Sequence, residues 1–147
     1  MCSPIDVDRY LSKISGPLLD RIDIHIEVPS VSYQDLASRQ LGEHSAEVSR
    51  RVVEAREIQA ARFAQRRRVF SNAMMGPRDI RSWCTPDHEG AMLIRMAISQ
   101  LGLSARAYDR ILKVARTIAD LDGSESIRSR HVSEAIQYRS LDRKLWL

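Results

Sequence analysis

The sequence predicts a mainly α fold: a helical bundle preceded by an arm of one helix and one strand. Three observations carry that expectation. Aromatic residues make up only 5% of the chain and there are only 6 glycines, a composition that disfavours sandwiches and barrels, where aromatic and β-branched residues dominate. Apolar residues recur at three- and four-residue spacing through the C-terminal part, the period of a helix. Strict alternation of apolar and charged residues occurs in one place, Ile22 to Val28, and marks a half-buried strand.

The elements follow in order. Ser3 suits a helix cap, Pro4 the first turn and Asp6 the positive helix end. Val7, Tyr10, Leu11 and Ile14 continue at helical spacing until Ser15, Gly16 and Pro17 stop the helix. The strand comes next. A lone strand makes no sheet and a two-stranded pair is marginal in water, so this one is expected to pair with another copy or to belong to a sheet outside this chain. The stretch 30–44 reads as a linker with a short helix around Tyr33 to Gln40. Ser45 caps a long helix to about Arg68, with Val48, Val52, Ala55, Ile58 and Arg62 on one face. A loop from Ser71 to Pro77 leads to a short helix, Arg78 to Trp83.

Thr85, Pro86 and Asp87 supply cap, first-turn proline and acid for a helix carrying Ala91, Met92, Leu93, Met96 and Ala97 to Leu101. Leu101, Gly102 and Leu103 form a turn. Ser104 caps a helix from Ala105 to Leu121 that faces Tyr108, Ile111, Leu112, Ala115, Ile118 and Ala119 inward, and Asp122 and Gly123 close it. Ser129 caps a last helix to about Arg139 with Val132, Ala135 and Ile136. The expected organisation is an arm over 1–29, a linker over 30–44 and a helical domain over 45–147.

Charge and motifs exclude much. No apolar run approaches the roughly 20 residues needed to cross a bilayer. The start lacks an export signal, and Cys2 and Cys84 fit no metal or redox spacing, so a cytoplasmic location without membrane contact is expected. A net charge of +4 and a pI of about 9.4, almost all from arginine, suit a nucleotide or nucleic-acid partner, and equally a basic protein with neither. His25, His44, His88 and His131 sit in separate segments with no ligand spacing, so no metal site and mostly solvated histidines are expected. Position 92 is methionine, which rules out a His-Glu-x-x-His pattern at His88. There is no Gly-x-Ser-x-Gly elbow. There is also no phosphate-cradling Gly-x-x-x-x-Gly-Lys-Ser/Thr loop, so this chain alone should bind ATP poorly and hydrolyse none. The run Arg66, Arg67 and Arg68 suits DNA phosphates, or simply the negative pole of a helix end.

Two stretches carry a resemblance. ISGPLLDRIDIHIEVP, from Ile14 to Pro29, resembles the signature of magnesium-chelatase-like AAA+ ATPases, specifically the competence protein ComM (YifB) group. GLSARAYDRILKVARTIADLDG, from Gly102 to Gly123, resembles that group's lid helix, and HVSEAIQYRSLDR, from His131 to Arg143, its closing helix. The resemblance implies that the arm is the end of a truncated α/β ATPase core and that the helical domain is the lid, and it identifies the chain as a C-terminal fragment. It further implies that Arg21 is the arginine finger presented to the ATP of a neighbouring subunit, with Asp20 orienting it. A permanently charged, planar guanidinium suits charge developing on a γ-phosphate. Arg106 matches the sensor-2 arginine, just inside a helix N-terminus whose free N–H groups and dipole favour phosphate. Arg110, four residues on, is a weaker nucleotide-binding candidate. The alternatives are a helix-end ion pair for Arg21 and Asp20 and a solvated surface position for Arg106.

For the intact protein the resemblance implies ATP and Mg2+, a homo-hexameric ring and ATP-dependent DNA branch migration during recombination; for this fragment alone no cofactor is expected. The alternatives are a magnesium-chelatase-type subunit acting in metal insertion, and a stand-alone helical DNA-binding or interaction module. Of the family's cysteine-rich segment only Cys2 has a counterpart, as its last residue, and the nucleotide-holding loop, acidic partner and sensor-1 residue have none, which is why truncation is expected.

Overall fold

The computed structural model describes residues 21–33 and 42–139, with positions 3, 9, 13, 18 and 37. The expected first helix, Asp20 and most of the expected linker helix lie outside the described residues. The rest is mainly helical, as predicted. It comprises α1 (Ser45–Arg62), a 3₁₀ turn (Asn72–Met74), α2 (Pro77–Trp83), α3 (His88–Leu101), α4 (Ala105–Leu121) and α5 (Ser129–Gln137). Helix α4 is the hub: α1, α2, α5 and the 3₁₀ turn all pack on it, and α3 reaches the bundle mainly through α5.

The reason lies in α4's sequence. Ser104 Oγ accepts the Ala107 amide at 3.1 Å, capping the helix where the sequence places the cap. Gly102 before it takes a left-handed φ of 61°, which closes α3 at little steric cost. Ile111, Leu112, Ala115 and Ala119 are buried and join Phe63, Met75, Ile80, Cys84, Ile94, Ile127, Val132 and Ala135 in one core. Tyr108, expected inside, is half-exposed. Burying Ile111 and Leu112 contributes about 1.5–3 kcal/mol each, and the small Ala115 and Ala119 complete the buried stripe that gives α4 its central place.

Helix α1 ends at Arg62, not near Arg68. Phe63 leaves helical geometry and enters the core, and the chain then turns through an Arg66 amide bond to the Phe63 carbonyl at 2.8 Å. Its cap position is His44 rather than Ser45, and the buried residues are Ala55 and Gln59, while Val48, Val52 and Ile58 stay exposed.

The cap of α3 is Asp87, not Thr85. Asp87 Oδ1 accepts the Gly90 amide at 2.7 Å and Oδ2 accepts the Ser129 amide at 3.1 Å, so one carboxylate serves the starts of α3 and α5. Pro86 lies outside the helix, bridged to Ile127, and the Asp87 amide bonds to the Ile127 carbonyl at 2.9 Å. A Cβ on Gly90 would lie 2.9 Å from Asp87 Oδ1 and 3.0 Å from Val132, so glycine permits this close approach. The buried face of α3 is accordingly Gly90, Ile94 and Ala97, with Met92 and Met96 half-exposed. In α5, Arg128 rather than Ser129 holds the cap position, and its amide donates to His131 Nδ1 at 3.0 Å.

No strand forms across Ile22–Val28. A strand requires a ladder partner, and among the described residues none pairs with it. The segment instead docks on the bundle: the His25 amide donates to the Tyr138 carbonyl at 2.8 Å, Arg139 donates to the Ile22 carbonyl, and Asp23 pairs with Arg110. The docking leaves no alternating burial, because only His25 goes inside and Asp23 and Glu27 stay exposed. His25 is buried, while Ile22, Ile24, Ile26 and Val28 are exposed, from 41% at Ile22 to 83% at Val28.

Candidate functional site

Arg106 is the second residue of α4, exposed, and has no ion-pair partner among the described residues. Ser104 satisfies the Ala107 amide, leaving earlier first-turn N–H groups beside a guanidinium at the positive end of a 17-residue helix. That combination favours a phosphate oxygen. Arg110 lies one turn on but is committed to Asp23 of the arm and is only 25% exposed, so in this conformation it ties arm to bundle. Arg21 is exposed, and its amide closes a turn onto the Leu18 carbonyl at 3.0 Å. Its side chain has no ion-pair partner among the described residues. It directly precedes Ile22, which Arg139 holds against the bundle. Asp20 lies outside the described residues.

The structure also contains a buried charge cluster near the C-terminal end of α4, at the opposite end from Arg106. Asp120, with its side chain fully buried, accepts from Arg62 at 2.5 and 2.8 Å, from Arg116 at 3.1 Å and from Asn72 at 2.7 Å. Arg116 also donates to the carbonyls of Ser124 at 2.6 Å and Glu125 at 2.8 Å, clamping the loop after α4. Burial lowers the Arg116 pKa, with Asp120 pulling the other way. Sequence reasoning missed this cluster. Its signal is the four-residue spacing of Arg116 and Asp120 within the apolar stripe of Leu112, Ala115 and Ala119.

Two histidines are buried rather than solvated: His25 under the docked arm, and His131, whose Nε2 lies 3.2 Å from Asp122 Oδ2. His131 Nδ1 accepts from the Arg128 amide, and Nε2 lies against both Asp122 and Arg130, so the ring ties the start of α5 to the end of α4. Its bonds to His131, then to Arg130, hold the Asp122 carboxyl below its ordinary range. His44 and His88 are exposed. Of the basic run, Arg66 bonds to Asp79 at 2.7 Å, while Arg67 and Arg68 are exposed. Burial pushes the Cys84 thiol up to about 11, against the pull of Arg116 and Arg62.

The architecture is an α-helical bundle built on α4, with the arm docked beside the end of α5. Residues 42–139 match the family described as magnesium chelatase, subunit ChlI C-terminal, and residues 1–36 match magnesium chelatase, subunit ChlI. The chain belongs to this magnesium-chelatase-like, AAA+-type family, and within it to the ComM group. It is 43% identical over 98% of its length to the uncharacterized protein YifB of Escherichia coli, and 43% identical over 97% to competence protein ComM of Haemophilus influenzae. It is 32% identical over 95% of its length to an uncharacterized protein of Mycobacterium tuberculosis. The chain spans 28% of the length of YifB and 27% of that of ComM. No helix among the described residues is long and apolar enough to cross a membrane.

Proposed function

We propose that this chain supplies the lid and the trans-acting arginine of a ring-forming AAA+ ATPase. Arg106 contacts the nucleotide bound next to its own lid, and Arg21 reaches the γ-phosphate held by the neighbouring subunit. The observation that carries the reading is the exposed Arg106, without an ion-pair partner among the described residues, at the Ser104-capped start of α4. It stands in a chain that belongs to the family over nearly all its length. The residues suit ATP in part: two cationic side chains for phosphate are present, while the Gly-rich loop that cradles the nucleotide is not in this sequence. Mg2+ accompanies ATP and is held by groups outside this chain. Arg21 and Arg106 contribute charge neutralisation and positioning, and the Asp23–Arg110 pair fixes the segment that bears Arg21.

The ring is a homo-hexamer acting on DNA, moving branch points during recombination of imported DNA. Its support is the similarity to a competence protein together with the basic, arginine-rich composition. In the full-length protein, Arg21→Ala should lower ATP turnover by about 10³-fold or more, the scale of an arginine finger, with ATP affinity nearly unchanged. Arg106→Ala should weaken ATP binding. Wild-type turnover and affinity in both variants would remove these residues from nucleotide chemistry.

A further inference from the structure

A cleft of about 490 Å³ opens on the far side of the buried charge cluster, lined by Arg62, Trp83, Arg116, Ser124, Glu125 and Ile127 among others. Two guanidinium groups face it with side chains only 8% and 5% exposed, and Asp120 is the single buried carboxylate they share. Two positive charges against one negative leave the buried cluster one charge in excess. An uncompensated charge in a low-dielectric setting is costly unless a counter-ion reaches it.

The donor inventory points the same way. A guanidinium offers five N–H groups. Arg62 makes three bonds, two to Asp120 and one to Asn72, and Arg116 makes three, to Asp120 and the carbonyls of Ser124 and Glu125. Each retains two N–H groups without a hydrogen bond among these, and both residues line the cleft. Trp83, 45% exposed, covers Arg62 with its ring centroid 5.8 Å from the guanidinium carbon, giving the cleft an apolar wall next to its charge. Of the other charged groups nearby, Glu125 is exposed and has no ion-pair partner among the described residues, and Lys113 donates to the Ala73 carbonyl at 3.0 Å and does not line the cleft.

We propose that this cleft is an oxyanion site, taking a phosphate or carboxylate group against Arg62 and Arg116 with the attached part of the ligand against Trp83. It is separate from the nucleotide role of Arg106 and does not depend on it. Glu125 is the gate on affinity: its carboxylate repels the ligand from the rim.

The test uses the full chain with Trp146→Phe, so that Trp83 is the one remaining tryptophan. Sodium phosphate and sodium acetate are titrated separately against sodium chloride at matched ionic strength, following Trp83 emission and the melting temperature. A saturable response beyond that of chloride is expected, and Glu125→Gln should tighten it several-fold. Saturation by phosphate alone assigns a phosphate-bearing ligand, and saturation by acetate as well assigns an acidic side chain of another protein. No response above chloride for either anion overturns the proposal. So does a response that Glu125→Gln leaves unchanged, because the anion then binds elsewhere.

Discussion

Asp87 caps two helices with one carboxylate, since Oδ1 serves α3 and Oδ2 serves α5. Losing a single cap typically costs about 1 kcal/mol. Asp87→Ala should therefore cost about 2 kcal/mol in urea unfolding of the chain, while Thr85→Ala, whose hydroxyl bonds only weakly to Arg81 at 3.4 Å, should cost far less. Asp120→Asn keeps the shape of the buried cluster and removes its only carboxylate. Two buried guanidiniums are then uncompensated, and the loss should reach about 3–5 kcal/mol. Asp122 has a folded pKa below its ordinary 3.8. A depressed carboxylate stabilises the fold above the unfolded pKa and ceases to do so as pH falls through the folded one. The stability difference between the wild type and Asp122→Asn should accordingly be present at neutral pH and vanish in acid. Cys84 behaves in the opposite sense. With its thiol raised from 9.0 to about 11, stability should fall as pH climbs through that window, and alkylation of Cys84 should be slow until the chain unfolds.

At the scale of elements, the helices from α2 to α5 were legible because each carries a local signal of its own: a capping serine or aspartate, a closing glycine, or an apolar stripe. Ser104 to Leu121 illustrates this, since its cap, its stripe and its closing turn agree. What was not legible depended on tertiary partners. Asp87 displaces Thr85 as cap because Ser129, some forty residues away in sequence, uses its second oxygen. Helix α1 stops at Arg62 because Phe63 enters the core and Arg62 is drawn to Asp120, neither of which a periodicity reports. The arm shows the clearest departure. Its alternation predicts a half-buried strand, yet only His25 goes in and the isoleucines stay out, because the bundle offers it single hydrogen bonds and an Arg110 ion pair in place of a ladder. Of the candidate site, Arg106 at its capped helix start was legible by position, whereas the pairing of Arg110 with Asp23 was not. A double-mutant cycle over Asp23→Asn and Arg110→Gln should show coupling of about 0.5–1 kcal/mol in unfolding, as for a partly exposed pair. Hydrogen exchange at the His25 amide should rise in both variants, and independent, additive effects would mean that the arm is held by its backbone bonds alone.

At the scale of the molecule, the chain is a family member in which charge is partitioned. Buried arginines, Arg62, Arg116 and Arg139, hold loops and arm, and Arg21 and Arg106 are exposed. The apolar row Ile22, Ile24, Ile26 and Val28 next to Arg21 stays exposed. On the proposed function, Arg21 works across a subunit boundary on ATP held by another copy. Mixing tests it most directly: full-length subunits carrying Arg21→Ala are combined with subunits whose phosphate-loop lysine is replaced, and ATP turnover of the mixture is measured. Each variant alone should be inactive. The mixture should regain turnover, because a subunit with an intact loop then meets a neighbour with an intact Arg21. Turnover that remains at the level of the two separate variants, or full activity of Arg21→Ala by itself, would contradict the account.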